Sequence, residues 1–122
     1  MISAVQRHEN AEEAVLELSL FFVRHSLPYW PAQLAPVLQA LRAFEGIRAL
    51  DVWGRLPLMG EHGLMQLRLS YDAGYRAADL AAEQQHFERL LQQALDAMNN
   101  LRLFVKSGVN RPLLDIYRDS PL

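Results

Sequence analysis

Apolar residues recur at helical spacing in the N-terminal part of the chain, within the stretch HENAEEAVLELSLFFVRH. The main stripe has intervals of three and four residues, the period of one helix face. It consists of Ala11, Val15, Leu18 and Phe22. Other apolar residues lie off that stripe and predict neighbours on more than one side: Leu16, Leu20 and Val23. Asn10 and Glu13 form a capping-box pattern, so a helix start at Asn10 is predicted, with a start near Ser3 as the alternative.

Prolines interrupt the next segment, LPYWPAQLAP, and exclude one regular helix across it. The helical period resumes in VLQALRAFEG, which predicts a second helix that begins at Pro31 or Pro36. Gly46 is expected to end this helix, because glycine readily adopts the left-handed conformation found at helix ends. Trp30 and Trp53 are expected to cover the core, since an indole is mostly apolar and has one donor to satisfy.

Two stretches in the middle of the chain look like strands. Residues 64–71 alternate: Met65, Leu67, Leu69 and Tyr71 on one face, and Gln66, Arg68 and Ser70 on the other. Residues 47–53 are shorter, with Leu50 and Val52 on either side of Asp51. The pattern predicts an antiparallel hairpin whose tip is the connection of residues 55–63. Helices must pack on its apolar face, because an isolated hairpin is only marginally stable.

The longest apolar repeat lies between Leu80 and Val105, with positions spaced by alternating fours and threes. The repeat consists of Leu80, Gln84, Phe87, Leu91, Ala94, Met98, Leu101 and Val105. Gln84 alone interrupts it. The stripe is wider than a two-stranded seam and favours a helix that forms the spine of the domain. Asn99 and Asn100 leave open a turn followed by a strand over residues 101–106. A short terminal helix from Pro112 is also predicted.

These elements define the predicted fold: one domain over residues 1–122, α+β and mostly α, with two N-terminal helices, an antiparallel β-hairpin and one long C-terminal helix. The chain has 122 residues and 51% hydrophobic residues, enough for a core of its own.

Composition and charge exclude several functions. The chain has no cysteine, so thiol catalysis and thiolate metal sites are absent. Its net charge of -2 and the lack of a phosphate-binding or nucleic-acid motif argue against nucleic-acid binding. No apolar run approaches the ~18 residues of a membrane span. Four glutamates precede the apolar stretch LSLFFV, which is unlike a signal peptide. A cytoplasmic protein without membrane association is expected.

Candidate chemistry is confined to Glu61 and His62, which lie between Gly60 and Gly63. A solvated turn explains them, because the glycines supply turn conformations. The alternative is a small-ligand site or a hydrolase-like active site centred on this pair, with Asp51, Arg55 and Arg68 expected nearby in the hairpin. No nucleophile elbow or histidine pair at metal-ligand spacing accompanies them, so no catalytic residue, metal or cofactor is predicted.

The first helix carries an acidic stripe of Glu9, Glu13 and Glu17 at four-residue intervals, with Glu12 alongside. Like charges at this spacing repel each other by a few tenths of a kcal/mol per pair. If the helix began nearby, its dipole would compensate for Glu9, Glu12 and Glu13, but Glu17 lies too far along the helix to benefit. The stripe is therefore a candidate docking face for a basic partner.

The order of features resembles small bacterial proteins of the toxin-immunity type. The features are a tryptophan that opens a helix (Trp30), a glycine-containing connection into a strand (LMGEHGLMQLRL), and a final helix rich in Glu, Gln and Leu (AAEQQHFERLLQQALDAMNNLR). This resemblance implies a protein-binding inhibitor without catalytic residues, with a toxin or effector as the partner.

The functional prediction is a non-enzymatic protein-binding module, with partner-binding residues Glu9, Glu12, Glu13, Glu17, Glu61 and His62. Two alternatives stay open. One is the small-ligand or hydrolase-like site at Glu61 and His62. The other is a homo-oligomeric secretion chaperone, with the repeat of the last helix as its seam and a homodimer as the simplest form.

Overall fold

The computed structural model describes residues 4–58, 63–70, 74–75 and 78–107. These residues form four α-helices and one short 3-10 helix: α1 Ala4–Arg24, α2 Tyr29–Arg42, α3 Gly46–Gly54, the 3-10 helix Leu64–Gln66, and α4 Leu80–Ser107. No strand occurs in this described part of the chain. The prediction of an α+β fold with a β-hairpin is therefore wrong, and the fold is all-helical.

The helices pack in a closed order in which each lies mainly against two others. α1 packs against α2 and α4, α2 against α3, and α3 against α4. α1 and α4 are antiparallel, since Arg7 near the start of α1 lies over the ring of Phe104 near the end of α4. At the opposite end of the pair, His25 meets Glu83. The core lies between the four helices.

α1 confirms the predicted apolar stripe, because Ala11, Val15, Leu18 and Phe22 are all fully buried. The predicted start at Asn10 is wrong: the helix begins at Ala4, close to the alternative start. Asn10 lies inside the helix, where its side-chain oxygen accepts a hydrogen bond from Gln6 at 2.8 Å. The Asn-x-x-Glu spacing occurs inside helices as well as at their N-termini. Asn10 would be an N-cap only if the residues before it were not helical, and here they are.

Residues other than glycine end α1 and α2. Ser26 has a φ of 59° and Phe44 a φ of 57°, and both lie just beyond their helices in the left-handed region. In each case the next N–H returns to a helix carbonyl: Leu27 to Phe22 at 3.0 Å, and Glu45 to Ala40 at 2.8 Å. This is the Schellman arrangement. Gly46, predicted to end α2, instead begins α3 and is buried.

α2 begins at Tyr29, so Pro31 falls in its first turn, where backbone N–H groups have no helical partner. Pro36 lies inside the helix and cannot donate to the carbonyl of Ala32. Both residues are exposed, so water can bond that carbonyl instead. Trp30 and Trp53 are buried, at 7% and 8% exposure, which confirms their prediction as core residues.

Residues 47–53 form α3, not a strand. Gly46, Ala49 and Trp53 are buried at helical spacing. The polar residues lie outside and pair along the helix, Arg55 with Asp51 at 2.8 Å and Arg48 with Glu45 at 3.0 Å. A stretch of seven residues is short enough to fit both the alternation of a strand around Asp51 and the period of a helix. Packing against α2 and α4 decides in favour of the helix.

The second predicted strand is also wrong, because Leu64–Gln66 form a 3-10 helix and residues 67–70 belong to no helix or strand. The segment of residues 67–70 is bound by the side chain of Gln84 in α4. Gln84 accepts a hydrogen bond from Leu69 N–H at 2.8 Å and donates to the Leu67 carbonyl at 3.1 Å. Tyr71, the last residue of the prediction, lies outside the described residues.

α4 is continuous from Leu80 to Ser107, which confirms the long helix and excludes a strand over residues 101–106. Its repeat faces the core, with Phe87, Leu91, Ala94, Met98 and Leu101 buried. α4 is therefore the spine of the domain. The short helix predicted from Pro112 lies outside the described residues. Among the helices described, none combines the length and apolar character needed to cross a membrane.

Candidate functional site

The four glutamates of the predicted acidic stripe have two different environments in the structure. Glu12 is half-buried and accepts a hydrogen bond from the Arg42 guanidinium of α2 at 2.6 Å. Glu9, Glu13 and Glu17 are exposed, and none of the three forms an ion pair with a residue that the structure describes. Glu12 therefore joins α1 to α2, and the three other glutamates form an uncompensated acidic face.

The helix dipole does not explain this face. Because α1 begins at Ala4, its first turn contains no acid, and Glu9 already lies in the second turn. The favourable effect of the dipole on carboxylates falls off within the first turn. All three glutamates are therefore beyond its reach, whereas the start at Asn10 predicted from sequence would have placed Glu13 within it.

Two large apolar residues of α1 are exposed beyond the glutamates. Leu20 has 46% and Val23 52% of its surface accessible. Leu20 follows Glu9 by eleven residues, about three turns, and so lies on the same side of the helix. We call Glu9, Glu13, Glu17, Leu20 and Val23 the outer face of α1. It is acidic in its first half and apolar in its second.

A surface depression of about 270 Å³ lies beside the end of the outer face, between α1 and α4. Its lining consists of Glu17, Leu20, Arg24, His86 and Leu90. His86 lies between two arginines: Arg24 Nη2 is 3.3 Å from its Nε2, and Arg89 Nη2 is 3.3 Å from its Nδ1. We call Arg24, His86 and Arg89 the basic cluster.

A histidine–carboxylate pair, His25 and Glu83, closes the end of the α1–α4 interface. Their Nε2 and Oε2 atoms are 2.8 Å apart, and the His25 side chain is 4% exposed. The imidazole also packs against the rings of Phe21 and Tyr75, at centroid distances of 4.9 and 5.3 Å. Burial raises the pKa of the Tyr75 hydroxyl, which keeps it neutral. Because the imidazole is covered on these sides, the pair joins the end of α1 to the start of α4.

This pair is absent from the residues predicted from sequence, since His25 and Glu83 are 58 residues apart. A local signal does exist: His25 directly follows the last turn of α1, and Glu83 is in the first turn of α4. The antiparallel packing of two long neighbouring helices would bring these ends together. That packing was not part of the predicted fold.

Glu61 and His62 lie outside the described residues, so their role stays a prediction. The described residues on either side are joined by two backbone hydrogen bonds, from Leu64 N–H to Pro57 and from Met65 N–H to Leu58, at 2.9 and 2.8 Å. The residues expected near them have other partners. Asp51 pairs with Arg55 within α3.

Arg68, also expected near Glu61 and His62, pairs with Glu88 of α4 at 3.0 Å. Within the described part of the chain, no three His, Asp or Glu side chains are placed to hold a metal ion. A second groove of about 420 Å³ lies between α3 and α4, and its lining includes Trp53, Asp96 and Arg102.

Comparison of the chain with models of protein families, with curated proteins and with solved structures gave no match.

Proposed function

We propose that this protein is a non-enzymatic protein-binding module that docks through the outer face of α1. The observation that carries the proposal is the combination of three exposed, uncompensated glutamates with two exposed apolar residues on one rigid helix. Rigid, pre-formed surfaces lose little conformational entropy on association. An acidic and apolar surface fits a partner whose own surface combines arginine or lysine with apolar residues.

The energetics of α1 support a role for these charges outside the fold. Glu9, Glu13 and Glu17 form two like-charged pairs at four-residue spacing, each of which destabilises a helix by about 0.2–0.5 kcal/mol. The dipole does not compensate for them, and none of the three forms an ion pair with a described residue. Leu20 and Val23 also leave apolar surface in water. A basic, apolar partner would relieve both of these costs.

The proposed biological role is that of an immunity or antitoxin-type inhibitor, with a toxin or effector as the partner. The motivation is the resemblance noted in the sequence and the size of the domain. The histidine–carboxylate pair that the fold brings together serves packing, which is in keeping with a binding role. The secretion-chaperone alternative loses its proposed seam, because the α4 repeat is buried against the rest of the domain. A homo-oligomer would need another surface.

The test uses affinity capture from the native lysate with the full chain immobilised in three forms. The first is the wild type. The second is the triple variant Glu9→Gln, Glu13→Gln and Glu17→Gln. The third is a matched control that removes the same number of negative charges elsewhere on the surface, at Glu45→Gln, Asp51→Asn and Asp96→Asn. Quantitative mass spectrometry then compares the captured proteins.

We expect a stoichiometric partner on the wild type and the control, reduced at least about tenfold on the triple variant, the effect of roughly 1.4 kcal/mol. Capture should weaken in high salt, which screens exposed charges. The triple variant should also unfold at an equal or slightly higher denaturant concentration, because repulsion in α1 is relieved. Equal capture by all three forms would exclude the outer face as the docking site, and the absence of any stoichiometric partner would count against the function itself.

A further inference from the structure

An apolar depression continues the outer face of α1 beyond the end of that helix. Its volume is about 290 Å³, and its lining consists of Val23, Ser26, Leu27, Pro28 and Pro31. Val23 belongs to both surfaces, so the depression and the outer face are contiguous. A cavity of about 150 Å³ holds a benzene ring. The depression therefore has room for one aromatic side chain of a partner.

The features of this surface follow one another in a fixed order along the axis of α1. At a rise of 1.5 Å per residue, the three glutamates extend over about 12 Å, and Leu20 and Val23 occupy roughly the next 9 Å. The depression lies beyond Val23. Each step from one residue of the outer face to the next is three or four residues. A complementary partner must repeat at the same interval, with basic residues at one end and apolar residues at the other.

The backbone of the partner segment distinguishes a helix from an extended chain. An extended segment gains affinity by adding its backbone to the edge of a sheet, and the described part of this chain contains no strand. The N–H and C=O groups inside α1 are already bonded within the helix. A helical partner satisfies its own backbone groups and presents side chains at three- and four-residue spacing. The outer face therefore favours a helix.

The direction of the partner helix follows from its dipole. In an antiparallel orientation, the C-terminal half of the partner lies beside the three glutamates, and its N-terminal half lies beside Leu20, Val23 and the depression. Basic residues near the C-terminus of a helix are stabilised by the dipole of that helix. A parallel partner would carry the same basic residues in its first turns, where the dipole opposes them. The antiparallel orientation is therefore favoured.

We propose that the outer face of α1 and the adjoining depression bind an amphipathic helix of the partner protein, antiparallel to α1. The N-terminal half of this helix is apolar and places an aromatic side chain in the depression. Its C-terminal half carries arginine or lysine opposite Glu9, Glu13 and Glu17. The inference rests on the proposed docking role of the outer face. A second copy of this chain fits less well, because it would bring three more glutamates to the same interface.

The test measures the binding of fluorescein-labelled synthetic peptides to the full chain by fluorescence anisotropy at constant ionic strength. The forward peptide has phenylalanine and leucine at helical spacing in its N-terminal half and arginine at every fourth position in its C-terminal half, with alanine and glutamine elsewhere. The reversed peptide has the same residues in the opposite order. The broken peptide is the forward peptide with a central alanine replaced by proline, which interrupts a helix. We expect the forward peptide to bind at least about tenfold more tightly than either of the others.

Variants of the protein separate the proposed surface from general attraction between a basic peptide and an acidic protein. Val23→Gln should bind the forward peptide about fivefold more weakly, because an apolar contact is replaced by an amide that loses water on binding. Leu103→Gln is the matched control, since Leu103 is equally exposed, at 52%, and lies near the end of α4. It should bind like the wild type. The triple glutamate variant should bind at least about tenfold more weakly, and its charge-matched control should not.

Circular dichroism of each variant without peptide confirms that it is folded. The proposal is overturned if the forward and reversed peptides bind equally, if the broken peptide binds as tightly as the forward one, or if Val23→Gln binds like Leu103→Gln. Sedimentation of the chain alone should show a monomer. A dimer that Val23→Gln dissociates would assign the surface to a second copy and would also overturn the proposal.

The peptide experiment and the capture experiment fail separately. If the wild type captures a partner through the glutamates but the forward peptide shows no preference, the docking function stands and the helical partner is rejected. If the forward peptide binds as expected but no stoichiometric partner is captured, the helix-binding surface stands and the result counts against the proposed function.

Discussion

At the scale of single residues, Gln84 binds the backbone of a neighbouring segment, a role that its position in the apolar repeat of α4 does not predict. It occupies a position where the repeat predicts an apolar side chain, and its amide hydrogen-bonds to the backbone of the segment of residues 67–70. Glu88, one turn further along α4, accepts from the same amide at 3.0 Å and also binds Arg68. A polar residue in an apolar repeat here marks the attachment point of a loop.

The variant Gln84→Leu completes the apolar repeat yet should destabilise the protein by about 1–2 kcal/mol, because a backbone donor and acceptor lose their partner. Gln85→Leu is the matched control: Gln85 is its exposed neighbour, and the change should stay within about 0.5 kcal/mol. Urea unfolding measures both. Hydrogen exchange of the Leu69 amide should accelerate in Gln84→Leu alone, and unchanged protection there would contradict the assigned role.

At the scale of the helices, the ends of α1 and α2 depend on side-chain-bearing residues in a conformation that glycine tolerates best. Ser26 is exposed and has a φ of 59°. Such a conformation costs an ordinary residue about 1–2 kcal/mol. The hydrogen bonds from Ser26 and Leu27 back to α1 maintain it. The turn between the two helices thus stores backbone strain that glycine would relieve.

Ser26→Gly should therefore stabilise the protein by about 0.5 kcal/mol, after the larger entropy of glycine in the unfolded chain is subtracted. Gln39→Gly makes a similar change at an exposed position inside α2 and should destabilise by about 1 kcal/mol. The two midpoints of chemical unfolding should move in opposite directions. A loss of stability in both variants would show that the left-handed conformation at Ser26 carries no cost.

At the scale of the whole molecule, a buried histidine makes stability depend on pH. His8 is fully buried in α1, where its Nδ1 donates a hydrogen bond to the Ala4 carbonyl at 2.7 Å. Its ring lies 5.5 Å from that of Phe44. Burial lowers the pKa of His8 below its usual value of 6.5, and the hydrogen bond to Ala4 opposes this change only in part. The folded protein therefore holds His8 neutral.

Because the pKa of His8 is lower in the folded than in the unfolded chain, the unfolded chain takes up a proton first as the pH falls below about 6.5. The free energy of unfolding is then unaffected by His8 above pH 6.5 and declines below it, by at most about 1.4 kcal/mol per pH unit from this one group. Urea unfolding at a series of pH values from 7.5 to 5 measures this decline.

His8→Asn cannot titrate in this range but keeps a side-chain donor for Ala4. It should be less stable than the wild type at pH 7.5, since packing against Phe44 is lost, and the difference should narrow as the pH falls to 5. Acidic residues titrate in both proteins and cancel in the comparison. Parallel pH profiles for the two proteins would exclude His8 as the source of the effect.

The long periodic segments could be predicted from sequence. The α1 stripe and the α4 repeat extend over many turns, so only a helix accounts for them. All of the α1 stripe and the central part of the α4 repeat, from Phe87 to Leu101, are buried as predicted. The segments of residues 47–53 and 64–71 were misread because a stretch of seven or eight residues satisfies the strand and helix periods nearly equally well. Their secondary structure is decided by their contacts with the neighbouring helices rather than by their sequence pattern.

The candidate sites divide in the same way. The acidic residues of α1 were found from their spacing, since a single helix places them. The basic cluster and the pair of His25 with Glu83 were not found, because each joins α4 to the end of α1 or the residue that follows it, about sixty positions away. The sequence by itself determined which helices form and which faces are apolar, through local period and composition. Only the tertiary structure decided that Gly46–Gly54 form a helix, which glutamates remain exposed and which charged residues form pairs between helices. These features depend on how one helix packs against another.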